Sequence, residues 1–265
     1  VTHYEDKEMQ EQKPTAIILG GTTGLGREIA LHCLERGIEP LILGPGVNRL
    51  HLDHELCDVK RFYVNLEQIE SWRHVHGDVV SCLTQRRVTH LFWVSGVAQT
   101  KPLSKMTARD VARLTSIHVH GPLIVLRDIL NLLMVLSSPL HFVVISSTSA
   151  FKRREGEEIY CAVQAAKAMF AAQMAGTLHR ELPGSMTTLV MPGGMNTPFW
   201  KGTDKDASAY MDPAIVAGHI FREVMSNTPP PSSFLDYPFN SLVIARNPDG
   251  SPHVYWRIPT SEFPY

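Results

Sequence analysis

Ala16-Ile17-Ile18-Leu19-Gly20-Gly21-Thr22-Thr23-Gly24-Leu25-Gly26-Arg27-Glu28-Ile29-Ala30 is an apolar run that breaks into glycines and then turns helical. It reads as a buried strand, a phosphate loop and a helix. Gly20 ends the strand, Gly24 lets the backbone approach a pyrophosphate, and Gly26 lets the helix pack closely on the sheet. The N–H groups of Thr22, Thr23 and Leu25 and the positive end of the helix then face the anion. The spacing is Gly-x3-Gly-x-Gly rather than Gly-x-Gly-x2-Gly, so the same physics is carried by a different pattern.

Outward from this unit, apolar runs at Glu39–Gly44, Arg61–Asn65, His90–Gly96, Leu140–Ser147 and Met186–Pro192 alternate with helix-length segments. Those segments are Gly26–Arg36, Leu66–Arg86, Thr107–Leu136 and Ile159–Leu182. The alternation predicts an α/β fold, a doubly wound parallel sheet in one domain over 14–265, with ligand at the carboxyl ends of the strands. Ser241–Ala245 and His253–Ile258 flank Asn247-Pro248-Asp249-Gly250 and read as a last strand with a hairpin tail. The polar residues 1–13 read as a mobile leader.

The chain of 265 residues has 44% hydrophobic content, enough for one large core, and a net charge of -1 from 25 basic and 26 acidic residues. Such a balance offers no basic face for nucleic acid or an anionic membrane. Cys33, Cys57, Cys82 and Cys161 are scattered without metal-ligand spacing and suggest reduced thiols in the cytoplasm. Leu123–Ile145, the most apolar stretch, is interrupted by Arg127, Asp128, Asn131, Pro139 and His141 and is not read as a membrane span. His118 with His120, and His51, His54 and Cys57, are not expected to bind metal.

Three further motifs follow in order. Ile145-Ser146-Ser147 is followed thirteen residues after Ser147 by Tyr160, and then by Pro192-Gly193-Gly194-Met195-Asn196-Thr197. With the glycine loop, these resemble the short-chain dehydrogenase/reductase family from Thr15 to about Ala245; the loop lacks only the opening Thr of the family's TGxxxGxG. The resemblance implies a Rossmann-type fold, a nicotinamide dinucleotide and a small-molecule substrate. It implies Tyr160 as acid/base and Ser147 as the orienting hydroxyl, with Pro192, Gly193, Met195 and Thr197 in a cofactor-binding loop. A phenol needs a nearby cation to serve in both directions. An ammonium about 4 Å away is worth roughly 4 kcal/mol at an effective dielectric near 20, enough to bring its pKa from about 10 toward 7.

The family's Tyr-x3-Lys has Gln164 in place of the lysine here, and the next lysine is Lys167. Seven helical residues turn about 700°, so Lys167 lies on the Tyr160 face, roughly 10 Å along the axis. Bacterial enoyl-acyl-carrier-protein reductases of the superfamily use the same Tyr-x6-Lys. The distance to Leu182 favours Lys167 as catalytic and cofactor-binding lysine; the Ser147–Tyr160 spacing favours the ordinary register. Gln164 in the lysine position, or Lys167 as a solvated charge, are the alternatives. Trp93-Val94-Ser95-Gly96 replaces the family's Asn-Asn-Ala-Gly, keeping Gly96 for close approach to the cofactor. His118 replaces a helix asparagine that holds a relay water; it can do so through its imidazole, donate directly, or be a buried histidine bonded to backbone.

No carboxylate follows Leu43 in Gly44-Pro45-Gly46-Val47-Asn48-Arg49 to repel a 2'-phosphate. NADP is therefore expected over NAD, with Arg49 as its cation and Arg27 as a possible second. Asn65 and Leu66 are candidates for the adenine end. Lys152–Glu158 and Phe199–Met211 are expected to flank the substrate. Phe199, Trp200, Tyr210 and Met211 offer apolar surface there, and Lys152, Arg153, Arg154 and Lys201 can attract an acidic tail. Ala162, Ala165, Ala166, Ala168, Ala171, Ala172, Ala175 and Gly176 give the Tyr160 helix small sides suited to pairing in a homodimer or homotetramer. The expectation is an NADP-dependent reductase of a carbonyl or activated alkene. The alternative is a decayed member that only binds dinucleotide as a sensor or interaction module.

Overall fold

Strand β1 (Pro14–Leu19) is apolar on both faces from Ala16 onward and fully buried, which is the condition of a central strand in a covered parallel sheet. The computed structural model describes residues 13–48, 53–225 and 239–256. The leader 1–12, Arg49, His51 and the residues after Trp256 lie outside these. β1 leads through the glycine loop into α1 (Gly24–Glu35), then β2 (Glu39–Gly44), β3 (Lys60–Tyr63), α2 (Glu70–Leu83) and β4 (Arg87–Trp93). α3 (Ala108–Thr115), a π-helical turn at Ser116–His120 and α4 (Gly121–Val135) run on as one rod. There follow β5 (His141–Ile145), α5 (Glu158–Glu181), β6 (Met186–Pro192), α6 (Pro213–Met225), β7 (Phe239–Arg246) and β8 (Pro252–Trp256).

The strands form one sheet in the order β3-β2-β1-β4-β5-β6-β7-β8, parallel except for β8, which pairs antiparallel with β7. The order reverses between β1 and β4, so a cleft opens where Leu19 and Trp93 end side by side. One core layer packs Trp72, Leu126, Leu130, Leu133, Ala168 and Ala171 against one face of the sheet. The other packs Leu25, Ile29, Ala30, Val216, Ile220 and Phe221 against the opposite face. The 28-residue rod Ala108–Val135 is long and apolar enough to cross a bilayer by length and composition alone. Its Val125, Leu126, Ile129, Leu130 and Leu133 stripe is instead buried in the first of these layers.

Several boundaries move for local reasons. β4 begins and ends three residues earlier than expected, because the N–H groups of Val94 and Ser95 both turn onto Leu19 O (2.9 Å each) and lead the chain out of the sheet. β3 stops at Tyr63 and α2 starts only at Glu70, since Asn65 opens a turn: its Oδ1 accepts from Glu67 N (3.1 Å), and its own N–H donates to Ser71 Oγ (2.8 Å). Helix α6 is not among the helix-length segments read from the sequence. The segment Leu123–Ile145 divides between α4, a turn and β5.

Candidate active site

The glycine loop adopts the tight geometry that its spacing suggests. Gly20 has φ +102° and Gly24 φ +53°, both in the region that favours glycine. A Cβ on Gly26 would lie 2.1 Å from Gly20 O, so the start of α1 rests directly on the end of β1. α1 has no side-chain cap from Thr23 and no acid in its first turn, leaving its N–H groups open to the cleft. Across the cleft, a Cβ on Gly24 would meet Thr197 at 3.1 Å.

A cavity of about 630 Å³ runs from Pro45, Asn65 and Leu66 at one end to Ser147, Tyr160 and Phe199 at the other. Gly20, Thr22, Thr23, Gly24, Leu25, Gly26, Gly96, His118, Lys167, Pro192, Gly193, Met195 and Thr197 line it between or beside those ends. These cavity residues include Ser147, Tyr160, Lys167 and His118 and the expected cofactor-binding residues of the glycine loop, Asn65, Leu66, Gly96 and the Pro192–Thr197 loop; Arg49 lies outside the described residues. Arg27 does not line the cavity. Asp53 holds its guanidinium at 2.6 and 3.1 Å, Glu55 at 2.6 Å and Glu28 at 3.1 Å, and these bonds raise its pKa above the ordinary value. A side chain so engaged is not free for a phosphate, which corrects its expected role as a second cation.

At the far end, Ser147 leaves β5 and caps a short 3-10 turn, its Oγ accepting from Ser149 N (3.1 Å). Tyr160, in the first turn of α5, packs edge-on against Phe199 (5.9 Å) and His118 (5.6 Å). Desolvation pushes its phenol above the ordinary value, and Glu157 and Cys161 push the same way. The Ser147 hydroxyl and the Gln164 amide pull it back in part. The expected descent toward 7 is therefore absent, because no cation is among these influences.

Lys167 is 1% exposed, so it is not a solvated charge. Its Nζ donates to Ser95 O (3.2 Å) and lies over the Trp93 ring (4.9 Å), and burial pulls it down to about 7. The ammonium thus answers the end of β4 rather than Tyr160. His118 is fully buried, and both ring nitrogens are engaged: Nε2 with Val97 O (2.8 Å) and Val97 N (3.1 Å), Nδ1 with Gln164 Nε2 (3.3 Å). Desolvation and the Lys167 charge lower it to about 3. Neither nitrogen is left to hold a relay water or to donate to a substrate, which corrects the catalytic expectation for His118 in favour of a buried, bonded histidine. Gly96 faces this ring, where a Cβ would come within 2.7 Å of His118 Cε1.

The substrate side is walled by Phe199, Trp200 and Tyr210, stacked edge to face, with Arg246 over Tyr210 (4.7 Å). Trp200 Nε1 donates to Met195 O (2.9 Å), tying the wall to the Pro192–Thr197 loop. Lys152 and Arg154 line the cavity; Arg153 and Lys201 do not, and Met211 is fully buried beneath the wall, bridged to Met195. Gln164, the alternative occupant of the lysine position, lines the cavity, and so does Arg246, which the sequence reading did not assign.

A family model described as short chain dehydrogenase matches residues 14–208. An uncharacterized oxidoreductase of Staphylococcus saprophyticus is 24% identical over 215 residues, 78% of this chain and 88% of the relative. Among solved structures, a short-chain dehydrogenase from Streptomyces avermitilis superposes with a TM-score of 0.71 at 22% identity, covering 91% of this chain and 90% of its own. An alcohol dehydrogenase from the archaeon Thermococcus sibiricus, complexed with 5-hydroxy-NADP, gives 0.68 at 16% identity over 86% and 95%. A 4-hydroxyisoleucine dehydrogenase complexed with NADH gives 0.68 at 17% identity over 81% and 91%.

Proposed function

The chain belongs to the short chain dehydrogenase family, and on that premise we propose that it is an NADP-dependent reductase of a carbonyl compound, with Tyr160 as proton donor. The observation that carries the reading is one elongated cavity joining the open N-terminus of α1 to the Ser147–Tyr160 pair. Its volume lies within the range of about 300–1,000 Å³ usual for small-molecule sites. The glycine loop, where Cβ atoms would close the gap to Thr197 and Ser95, fits a dinucleotide backbone.

The loop Gly20–Gly26 and the start of α1 would hold a pyrophosphate, Asn65 and Leu66 the adenine end, and Lys167 with Pro192–Thr197 the nicotinamide end. A nicotinamide dinucleotide, when bound, supplies a hydride. Ser147 donates a hydrogen bond to the carbonyl oxygen and fixes it beside Tyr160. As the carbonyl carbon is reduced, the C=O π pair moves onto oxygen and takes the Tyr160 proton, and the phenolate is reprotonated by water. The aromatic wall excludes water and selects an apolar substrate body; an activated alkene is the runner-up acceptor. The preference for NADP over NAD rests on Gly44–Asn48, which bears no carboxylate.

The same reading makes the protein a homo-oligomer, paired through Ala162, Ala166, Met169 and Gln173, an exposed stripe at helical spacing on α5. The four cysteines are all unbridged and suit a cytoplasmic location. Titration with NADPH and NADH, followed by turnover on aldehydes, ketones and enones, tests the assignment. Binding that is tighter for NADPH, lost in Gly24→Val, with turnover lost in Tyr160→Phe, is the expected result. Tight binding with no turnover on any class would instead make the chain a dinucleotide sensor.

A further inference from the structure

A ladder of rings leads away from Tyr160 along one side of the cavity. Phe199 packs edge-on to Tyr160 (5.9 Å), Trp200 to Phe199 (5.1 Å) and Tyr210 to Trp200 (5.3 Å), and the Arg246 guanidinium lies over Tyr210 (4.7 Å). All five residues line the cavity. The rungs are tied to backbone. Phe199 O accepts from Ala98 N (3.4 Å), and Trp200 Nε1 donates to Met195 O (2.9 Å). Gly194 makes room for the Tyr210 ring, which a Cβ there would approach to 2.8 Å. Arg246 ends β7, and its Nη1 donates to Ala209 O (3.1 Å). Ring face and carbonyl together hold the guanidinium in one place, and no carboxylate of a described residue pairs with it.

The charge around this end of the cavity is one-sided. Lys152, Arg154, Lys205 and Arg246 all stand on the lining, and none of them has an ion-pair partner among the described residues. Of the described carboxylates only Glu157 and Glu67 share that lining, and Glu67 is paired with Arg113 (3.4 Å). Asp204 and Asp206, on either side of Lys205, are bonded to Thr100 Oγ1 (3.3 Å) and Ser208 N (2.9 Å). The whole chain carries a net charge of -1, so the excess of cations belongs to the cleft and focuses a field that draws anions into it. The phosphates of a dinucleotide belong at the start of α1, which leaves the guanidinium at the far end of the ring ladder for the other reactant.

We propose that the substrate is an oxo acid, a carbonyl compound whose apolar body lies along Phe199, Trp200 and Tyr210 and whose carboxylate is taken by Arg246. The inference rests on the reductase reading. A guanidinium can bond both carboxylate oxygens at once, and here it sits at the end of a fixed apolar wall. The distance from carbonyl to carboxylate thereby becomes a condition of fit, along with the charge. Lys152, Arg154 and Lys205 are exposed and speed the arrival of the anion.

Straight-chain ω-oxo acids of increasing length, each beside its methyl ester, measure this selection with dinucleotide present. At the best length kcat/KM is expected to favour the acid by about tenfold at low salt, with the difference in KM, and the preference should shrink as salt is raised. Arg246→Met keeps an apolar stem over Tyr210 and is expected to bring the ratio to within about twofold of one, whereas Arg246→Lys should keep part of it. Calorimetric titration of the free and dinucleotide-loaded protein with saturated straight-chain carboxylates and their methyl esters reads the same selection without turnover. Esters turned over as well as their acids at every length overturn the inference, whether or not a variant folds, and leave the reductase reading standing. Where nothing turns over, binding that does not favour the carboxylate overturns it equally. A preference that survives in Arg246→Met, or a loss of dinucleotide affinity in that variant, overturns the place given to Arg246. Carboxylate-selective binding without turnover of any acid or ester would overturn the reductase reading and leave the anion site standing.

Discussion

Gly96 has no side chain because the His118 ring fills the space where one would be. The ring is tethered at both nitrogens, so it cannot swing aside without breaking contacts to Val97 or Gln164. Gly96→Ala should therefore cost about 1–3 kcal/mol, as overpacking in a fixed site does, read as a lower midpoint in urea denaturation with an unchanged slope. Resemblance gave Gly96 a cofactor role, whereas its contact with His118 is visible only in three dimensions. Ser147 and Tyr160 were legible because their meaning lies in spacing along the chain. Gln164 was legible as the residue in the family's lysine position, but its contact with His118, 46 residues away in sequence, was not. Lys167 was legible as a residue of the Tyr160 face but not in its destination, which Ser95 O and the Trp93 ring decide.

Helix α3 starts on a capping box, Thr107 Oγ1 accepting from Asp110 N (3.1 Å) while Asp110 Oδ2 accepts from Thr107 N (3.0 Å). The rod then loosens into the π-helical turn that delivers His118 to the site, and tightens again at Gly121. A Cβ on Gly121 would lie 2.4 Å from Leu66 O and 2.9 Å from Ser116 O, both backbone atoms that cannot yield cheaply. Helix propensity favours Ala over Gly by about 1 kcal/mol; the clash works against it and should prevail. Gly121→Ala is expected to lose about 1–2 kcal/mol net and to displace the Asn65–Leu66 turn, measured as weaker dinucleotide binding alongside lower stability. The strands were readable from apolar runs, but their ends were set by turns, as at Asn65. Helix α6 carries a clear helical stripe, Val216, Ala217, Ile220, Phe221 and Val224, and begins on Pro213. It lies beyond Ile159–Leu182, the last helix-length segment read from the sequence.

Across the molecule, the buried layers on and beside the sheet also hold ionisable groups in their uncharged forms. His118 and His141 are lowered to about 3 and His90 to about 4 by burial, while in the unfolded chain each titrates near about 6.5. The unfolded state then binds more protons between those values, so stability is complete above about pH 6.5 and falls as pH drops toward 3. Together the three histidines should remove up to about 4 kcal/mol per pH unit between about pH 6.5 and 4. Thermal unfolding from pH 8 to pH 4 is expected to show this slope, reduced by about a third in His141→Gln, whose side chain can keep the bond to Thr188 Oγ1 (2.7 Å in the native protein).

Lys167 carries the same logic to the cleft. A lysine pulled down to about 7 is mostly neutral at pH 8, and a ligand that offers oxygen acceptors to its ammonium draws it back toward the charged form. Ligand capture at this site is thus also proton capture. Calorimetric binding enthalpies at pH 8 should vary linearly with the ionisation enthalpy of the buffer, with an uptake of up to about 0.9 proton that disappears in Lys167→Met. The tightness of the complex then becomes a function of the acidity of its surroundings, weakening as the medium turns alkaline.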